Sequence, residues 1–167
     1  MKGPTSPTPA GSRRYHFFSR WTVDAPADAV YAAIYEVVSY PAWWPEVKEA
    51  RKLDENHLWM RTRSFLPYDL AFELERTIAD PRAGILEALL TGDLEGTIRW
   101  TITPAADGCR ITFDESVDTT KATLNRLAPV VRPAYVANHF LMMSHGQAGL
   151  RTFLAGYELA RRDALPD

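Results

Sequence analysis

Six short segments between residues 47 and 117 alternate with tight turns, and this rhythm constrains the fold more than any other feature of the chain. The segments Val47 to Leu53, Leu58 to Leu66, Leu70 to Ile78, Ile85 to Gly92, Thr97 to Thr103 and Cys109 to Val117 read as strands. Their joints are "DEN", "LPYD", "DPRAG", "GDLEG" and "PAADG". In these joints Gly and Asn relieve positive backbone angles, and Pro ends ladder pairing. Such close spacing predicts an antiparallel meander. Side chains alternate across a strand, so Leu70, Phe72, Leu74 and Ile78 fall on one face, opposite Glu73, Glu75 and Thr77. Ile98, Trp100 and Ile102 stand in the same way against Arg99 and Thr101. One face of the sheet is therefore apolar.

An earlier strand and two helical regions flank the meander. "YHFFSRWTV", beginning at Tyr15, is aromatic and β-branched, as strands are. After it, Asp24 is placed to accept from the first free amides of a helix, and Pro26 suits the first turn, so "PADAVYAAIYEVV" is expected to be helical. Val30, Ile34, Val37 and Val38 give that helix its apolar side. The last third has helical period, with Pro129 and Pro133 expected to bend or break its first part and the main helix running from about Ala134 to Arg162. Tyr135, Asn138, His139, Met142, Gly146, Gly149, Leu150, Phe153 and Tyr157 form one stripe, which should face the sheet.

A chain of 167 residues is about the size of one domain and long enough for a core without staples. Residues 1–14, rich in Pro, Ser, Thr and Gly, can bury almost nothing and are expected to be a disordered tail, leaving residues 15–163 as a single ligand-binding domain. A net charge of -2 offers no broad basic field, so no nucleic-acid partner is expected, although "RRYH" is locally basic. Cys109 is the only cysteine, so the chain cannot form an internal disulfide, and a reducing compartment fits best. The opening "MKGPTSPTPAGSRR" lacks an apolar signal region, and no run approaches the roughly 20 apolar residues of a membrane span. The expectation is a cytoplasmic protein with no integral membrane association.

Several chemistries lack their residues. There is no HExxH, no CxxC and no compact His/Asp/Glu cluster, so no metal site is predicted. "GDLEG" is a hairpin turn rather than a nucleotide loop, and GxGxxG, Walker and GxSxG patterns are absent. Cys109 sits beside a turn glycine with no base near it in sequence. Arg61, Arg63 and Arg99 share the parity of solvent-facing positions.

The order strand, short helices, six-strand meander and long terminal helix, with "WTVDAPADAVYAAI", "YPAWWPEV", "DGCRITFDESV" and "NHFLMMSHGQAGL", resembles the START-like superfamily, also called SRPBCC, in its polyketide cyclase/dehydrase-like branch. The resemblance covers about Tyr15 to Arg162. It implies an α+β helix-grip fold: a curved seven-stranded antiparallel sheet wrapped around a long C-terminal helix, with two short helices after the first strand and a cavity between sheet and helix. It implies no cofactor. The superfamily spans cyclases, lipid carriers and coenzyme Q-binding proteins, and one fold does not imply one function.

Within that expected fold, "SYPAWWPEV" becomes a corner held by Pro41 and Pro45. Trp43 and Trp44 either fill the core, at roughly 2 to 3 kcal/mol for a fully buried large aromatic, or contact a ligand from the end wall. Gly146 and Gly149 each weaken the helix by roughly 1 kcal/mol relative to Ala, so either a bulky neighbour comes close or open volume is left for a guest. Met142 suits a pocket wall and an ordinary core equally. Asn138 and His139 are the polar members of the stripe's middle and need partners. Those partners are a strand residue such as Thr62 or Ser64, a bound water, or a ligand. Glu115 shares the inward parity of Ile111, Phe113 and Val117, whereas His145 falls at the stripe's edge and should be exposed.

The residues support two functions. One is binding of a small hydrophobic molecule such as a lipid, polyketide or isoprenoid, contacted by Trp43, Trp44, Phe72, Leu74, Trp100, Phe113, Tyr135, Met142 and Gly146 and oriented by Asn138 and His139. The other resembles an aromatase/cyclase, in which His139, helped by Glu115, would supply the acid/base step of aldol closure and dehydration.

Overall fold

The computed structural model describes residues 14–120 and 128–163. The proposed tail therefore lies, apart from Arg14, outside the described residues. The elements run β1 (Tyr15–Val23), α1 (Ala27–Tyr35), a 3₁₀ turn (Val37–Ser39), α2 (Tyr40–Trp43), β2 (Val47–Lys52), β3 (His57–Thr62), β4 (Leu70–Asp80), β5 (Ile85–Gly92), β6 (Leu94–Ala105), β7 (Gly108–Thr119) and α3 (Ala128–Asp163).

All seven strands form one antiparallel sheet in the order β1-β7-β6-β5-β4-β3-β2. Consecutive strands pair through short hairpins, and β1 returns to lie against β7, with Tyr15 opposite Val117 and Val23 opposite Cys109. The sheet curls into a half-barrel whose apolar face grips α3, the helix-grip arrangement. Period-two burial is the reason: Tyr15, Phe17, Trp21 and Val23 of β1 turn inward while His16, Phe18, Arg20 and Thr22 face out.

Several boundaries move for identifiable reasons. Asp24 does not cap α1. Pro26 occupies the cap position, and its carbonyl accepts from Val30 N at 3.1 Å. The helix stops at Tyr35, so Val38 is exposed rather than part of an apolar face. β3 ends at Thr62 because Arg63 N turns away to donate to Glu46 O at 2.8 Å. β6 starts at Leu94, since the "GDLEG" hairpin is tight enough to continue the ladder, with Gly96 opposite Val117. A side chain at Gly96, where φ is +152°, would collide with the Ser116 carbonyl. A bulge between Arg76 and Ile78 bends β4 near its end.

Helix α3 begins at Ala128 and runs through Pro133, six residues ahead of the expected start. Pro129 falls in the first turn, where a missing N–H costs no hydrogen bond. The buried face of α3 consists of Tyr135, Asn138, Met143, Gly146, Leu150 and Leu154. Tyr157, expected on the stripe, is exposed, beyond Leu154, the last buried residue described on the helix. Near its C-terminal half, Arg151 donates to the Thr22 carbonyl at 2.6 and 2.9 Å, tying α3 to the free edge of β1.

Candidate functional site

The corner after α1 closes one end of the molecule. Pro41 lies in the first turn of α2, and Trp44 leaves the helix in an extended conformation, φ −111° and ψ 100°. The two rings diverge in use. Trp44 packs edge-on to Trp21 at 5.7 Å and Trp100 at 6.3 Å, and its indole N–H donates to Met142 O at 2.9 Å. Trp43 packs on Tyr40 at 4.7 Å, stacks on Trp44 at 5.5 Å and lines a surface groove with Glu46 and His145.

That corner explains both helix glycines. A Cβ on Gly146 would lie 2.6 Å from Trp44 Cε2, and one on Gly149 would overlap the Trp43 carbonyl. Close approach of the corner, not free volume, is what the glycines permit. Gly146, expected as a ligand contact, is covered by the Trp44 ring and is not on the cavity wall. Trp43 is likewise absent from that wall.

A cavity of about 140 Å³ lies between the concave sheet and α3. The strands contribute Phe72, Leu74, Trp100 and Phe113, and the helix contributes Tyr135, Asn138, His139 and Met142. Trp44 closes the end beside Tyr40. The strand and helix residues among these share the alternation or helical period by which the sequence marked them, whereas Trp44 comes from the proline corner.

The polar members are paired with one another. Glu115 projects inward between Phe113 and Val117, and its Oε2 accepts from His139 Nε2 at 2.9 Å. Their side chains are 10% and 14% exposed, so water screens the pair little. Phe17 stacks on the imidazole at 3.8 Å, with 8° between planes, and fixes its orientation. Ser64 Oγ donates to Asn138 Oδ1, and Asn138 Nδ2 donates to Met142 Sδ at 3.4 Å. Of the partners considered for Asn138, Ser64 is the one it meets. Burial first, then the nearby Glu115 carboxylate, raises the Tyr135 phenol well above its ordinary value, so it stays a neutral O–H.

Arg76 is the charged side chain of β4 among the cavity residues that sequence reasoning missed. It follows Leu70, Phe72 and Leu74 in inward parity, a signal present in the sequence. Its guanidinium lies 3.8 Å over the Tyr35 ring and donates to the Tyr35 and Glu55 carbonyls at 3.0 and 3.3 Å. Among the described residues no carboxylate comes within ion-pair distance of it. Met60 and Thr62 also line the cavity, from β3.

Outside the cavity, His145 is half exposed, at the stripe's edge, and its Nδ1 sits 2.6 Å from Oε1 of the buried Glu46. Arg61 pairs with Asp69 at 2.9 Å, and Arg99 pairs at 2.9 Å with Glu87, a residue that also borders the cavity. Among the described residues no three His, Cys, Asp or Glu side chains gather as a metal site, and no helix is long and apolar enough to cross a membrane.

Comparison with known proteins agrees with this architecture. The Zhui aromatase/cyclase from Streptomyces sp. R1128 superposes with a TM-score of 0.73 at 14% identity, covering 86% of this chain and 94% of that one. A START superfamily protein from Mycobacterium smegmatis gives 0.64 at 16% identity, over 86% and 98% of the two chains. A protein from Thermus thermophilus gives 0.71 at 13%, over 86% and 98%. At such identities the likeness is one of fold. No curated protein matches the chain in sequence. Residues 23–138 match the sequence profile described as polyketide cyclase/dehydrase and lipid transport, and the chain belongs to that family.

Proposed function

We propose that this chain binds a small hydrophobic molecule, of lipid, polyketide or isoprenoid type, in the cavity between sheet and α3. The observation that carries the reading is a mainly apolar chamber whose wall holds the buried Glu115–His139 pair beside Asn138, with Arg76 and Thr62 as further polar members of the lining. Burial against Phe72, Leu74, Trp100 and Phe113 supplies affinity, and the polar groups orient the guest. Asn138 is already engaged by Ser64 and Met142, so orientation falls mainly to His139 and Glu115. Family membership supports the same class of ligand.

A cyclase or aromatase reading competes with it, favoured by one feature. The Glu115–His139 pair resembles an oriented base: with Nε2 held by a carboxylate, Nδ1 is left to take a proton from the carbon beside a ligand carbonyl and return it to a departing hydroxyl. Native mass spectrometry of the purified protein separates the two. A hydrophobic compound carried through purification and released unchanged supports binding. Conversion of an added poly-β-ketone, lost in His139→Gln with the fold intact, supports catalysis. A protein that carries nothing and takes up no apolar probe would overturn both.

A further inference from the structure

We infer that the guest is neutral, about the size of one six-membered ring, and carries a hydroxyl that donates to Glu115. The inference rests on the binding reading and narrows its ligand to a single-ring molecule, leaving out the long-chain and fused-ring members of the classes named there.

Size comes from the volume. A chamber of about 140 Å³ matches the roughly 150 Å³ apolar cavity that holds a single benzene, and falls short of the roughly 300 to 1,000 Å³ of pockets for larger ligands. Enlarging it means separating α3 from the sheet, and three ties oppose that: Trp44 to Met142 O, Ser64 to Asn138, and Arg151 to the Thr22 carbonyl. The closely packed Gly146–Trp44 contact blocks a slide along the helix. A fused-ring polyketide or a long acyl chain needs more room than this.

Chemistry comes from the carboxylate. Glu115 spends Oε2 on His139, and no partner for Oε1 is found among the described residues, although the side chain lines the cavity. An ionised carboxylate only accepts, so a guest gains there by donating a proton, as a phenol or enol hydroxyl does. A guest carboxylate at the same place would meet like charge in a poorly screened site, and the cationic member of the lining, Arg76, donates to the Tyr35 and Glu55 carbonyls. Trp100 and Phe113, whose rings are 4.3 Å apart, offer aromatic faces to the ring.

The test is calorimetric titration of the full chain with phenol, benzene, benzoate, 2-naphthol and decanoate, with the quenching of Trp fluorescence as a second readout. Phenol should bind roughly tenfold or more tighter than benzene, the gain of one hydrogen bond to a charged acceptor. It should also exceed benzoate, 2-naphthol and decanoate. Glu115→Gln should collapse the phenol-to-benzene ratio toward one, and the ratio in the unsubstituted protein decides the matter if that variant does not fold. Binding of 2-naphthol or decanoate as tight as that of phenol overturns the size assignment and leaves the binding reading standing. Benzoate or benzene equal to phenol overturns the hydroxyl assignment. No binding of any of the five overturns the binding reading and this inference together.

Discussion

The indole N–H of Trp44 donates to the main-chain oxygen of Met142 at 2.9 Å, across 98 positions of sequence. Gly146, the residue whose amide is the regular helical partner of that carbonyl, lies directly under the same ring. The corner after α1 and the middle of α3 are thereby locked at the end of the cavity. Trp44→Phe removes the donor and leaves a void, and should cost about 1 to 3 kcal/mol in chemical denaturation. A variant as stable as the parent would mean the contact is incidental.

Gly146→Ala should also destabilise, by about 1 to 3 kcal/mol from overpacking, which exceeds the helix-propensity gain of about 1 kcal/mol. Gly156 serves as the control. It lies on the same helix, and nothing stands within 4 Å of a Cβ placed there. Gly156→Ala should stabilise by about 0.4 to 1 kcal/mol. Equal shifts in melting temperature at the two positions would remove the packing argument.

The Glu115–His139 pair predicts non-additivity. His139→Ala leaves a buried carboxylate without its partner and should cost about 2 to 4 kcal/mol. Combining it with Glu115→Gln should recover more than half of that loss. Additive single losses, measured by urea denaturation, would show that the two side chains stabilise the fold independently.

Tyr135 sets a pH dependence. Burial raises its folded-state pKa above the ordinary value of 10.0, so the unfolded chain gives up that proton first. Its contribution is therefore complete below about pH 10 and declines as pH rises further. Melting temperature should fall between about pH 10 and 11, less steeply in Tyr135→Phe. Identical slopes would place the alkaline transition elsewhere.

Cys109 is buried on β7, and desolvation raises its thiol pKa, which lowers the thiolate fraction available for reaction. A disulfide reagent at neutral pH should label it only on unfolding, so labelling should rise with urea together with the fluorescence change. Rapid labelling of the native chain would contradict that placement.

Much of the fold was legible because it is written locally. Alternation in Leu70, Phe72 and Leu74, turn residues at each joint and the period of α3 are near-neighbour properties, and the order of β2 to β7 follows from successive antiparallel pairing, whereas the pairing of β1 with β7 is long-range. Inward parity likewise put Phe113 and Glu115 on the concave face and placed Asn138 and His139 on the gripped side of the helix. Arg76 has the same inward parity as Leu70, Phe72 and Leu74 and also reaches the cavity.

Tertiary structure decided what periodicity cannot carry. Both tryptophans are buried, yet only Trp44 reaches the cavity, while Trp43 stacks against Trp44 at 5.5 Å without itself meeting the cavity. Gly146 and Gly149 accept the corner rather than a guest, and Glu115 meets His139 across 24 positions of sequence. Those outcomes depend on the distance and angle at which residues far apart in sequence are pressed together. Spacing along a chain selects a face, whereas close packing among elements selects the neighbour.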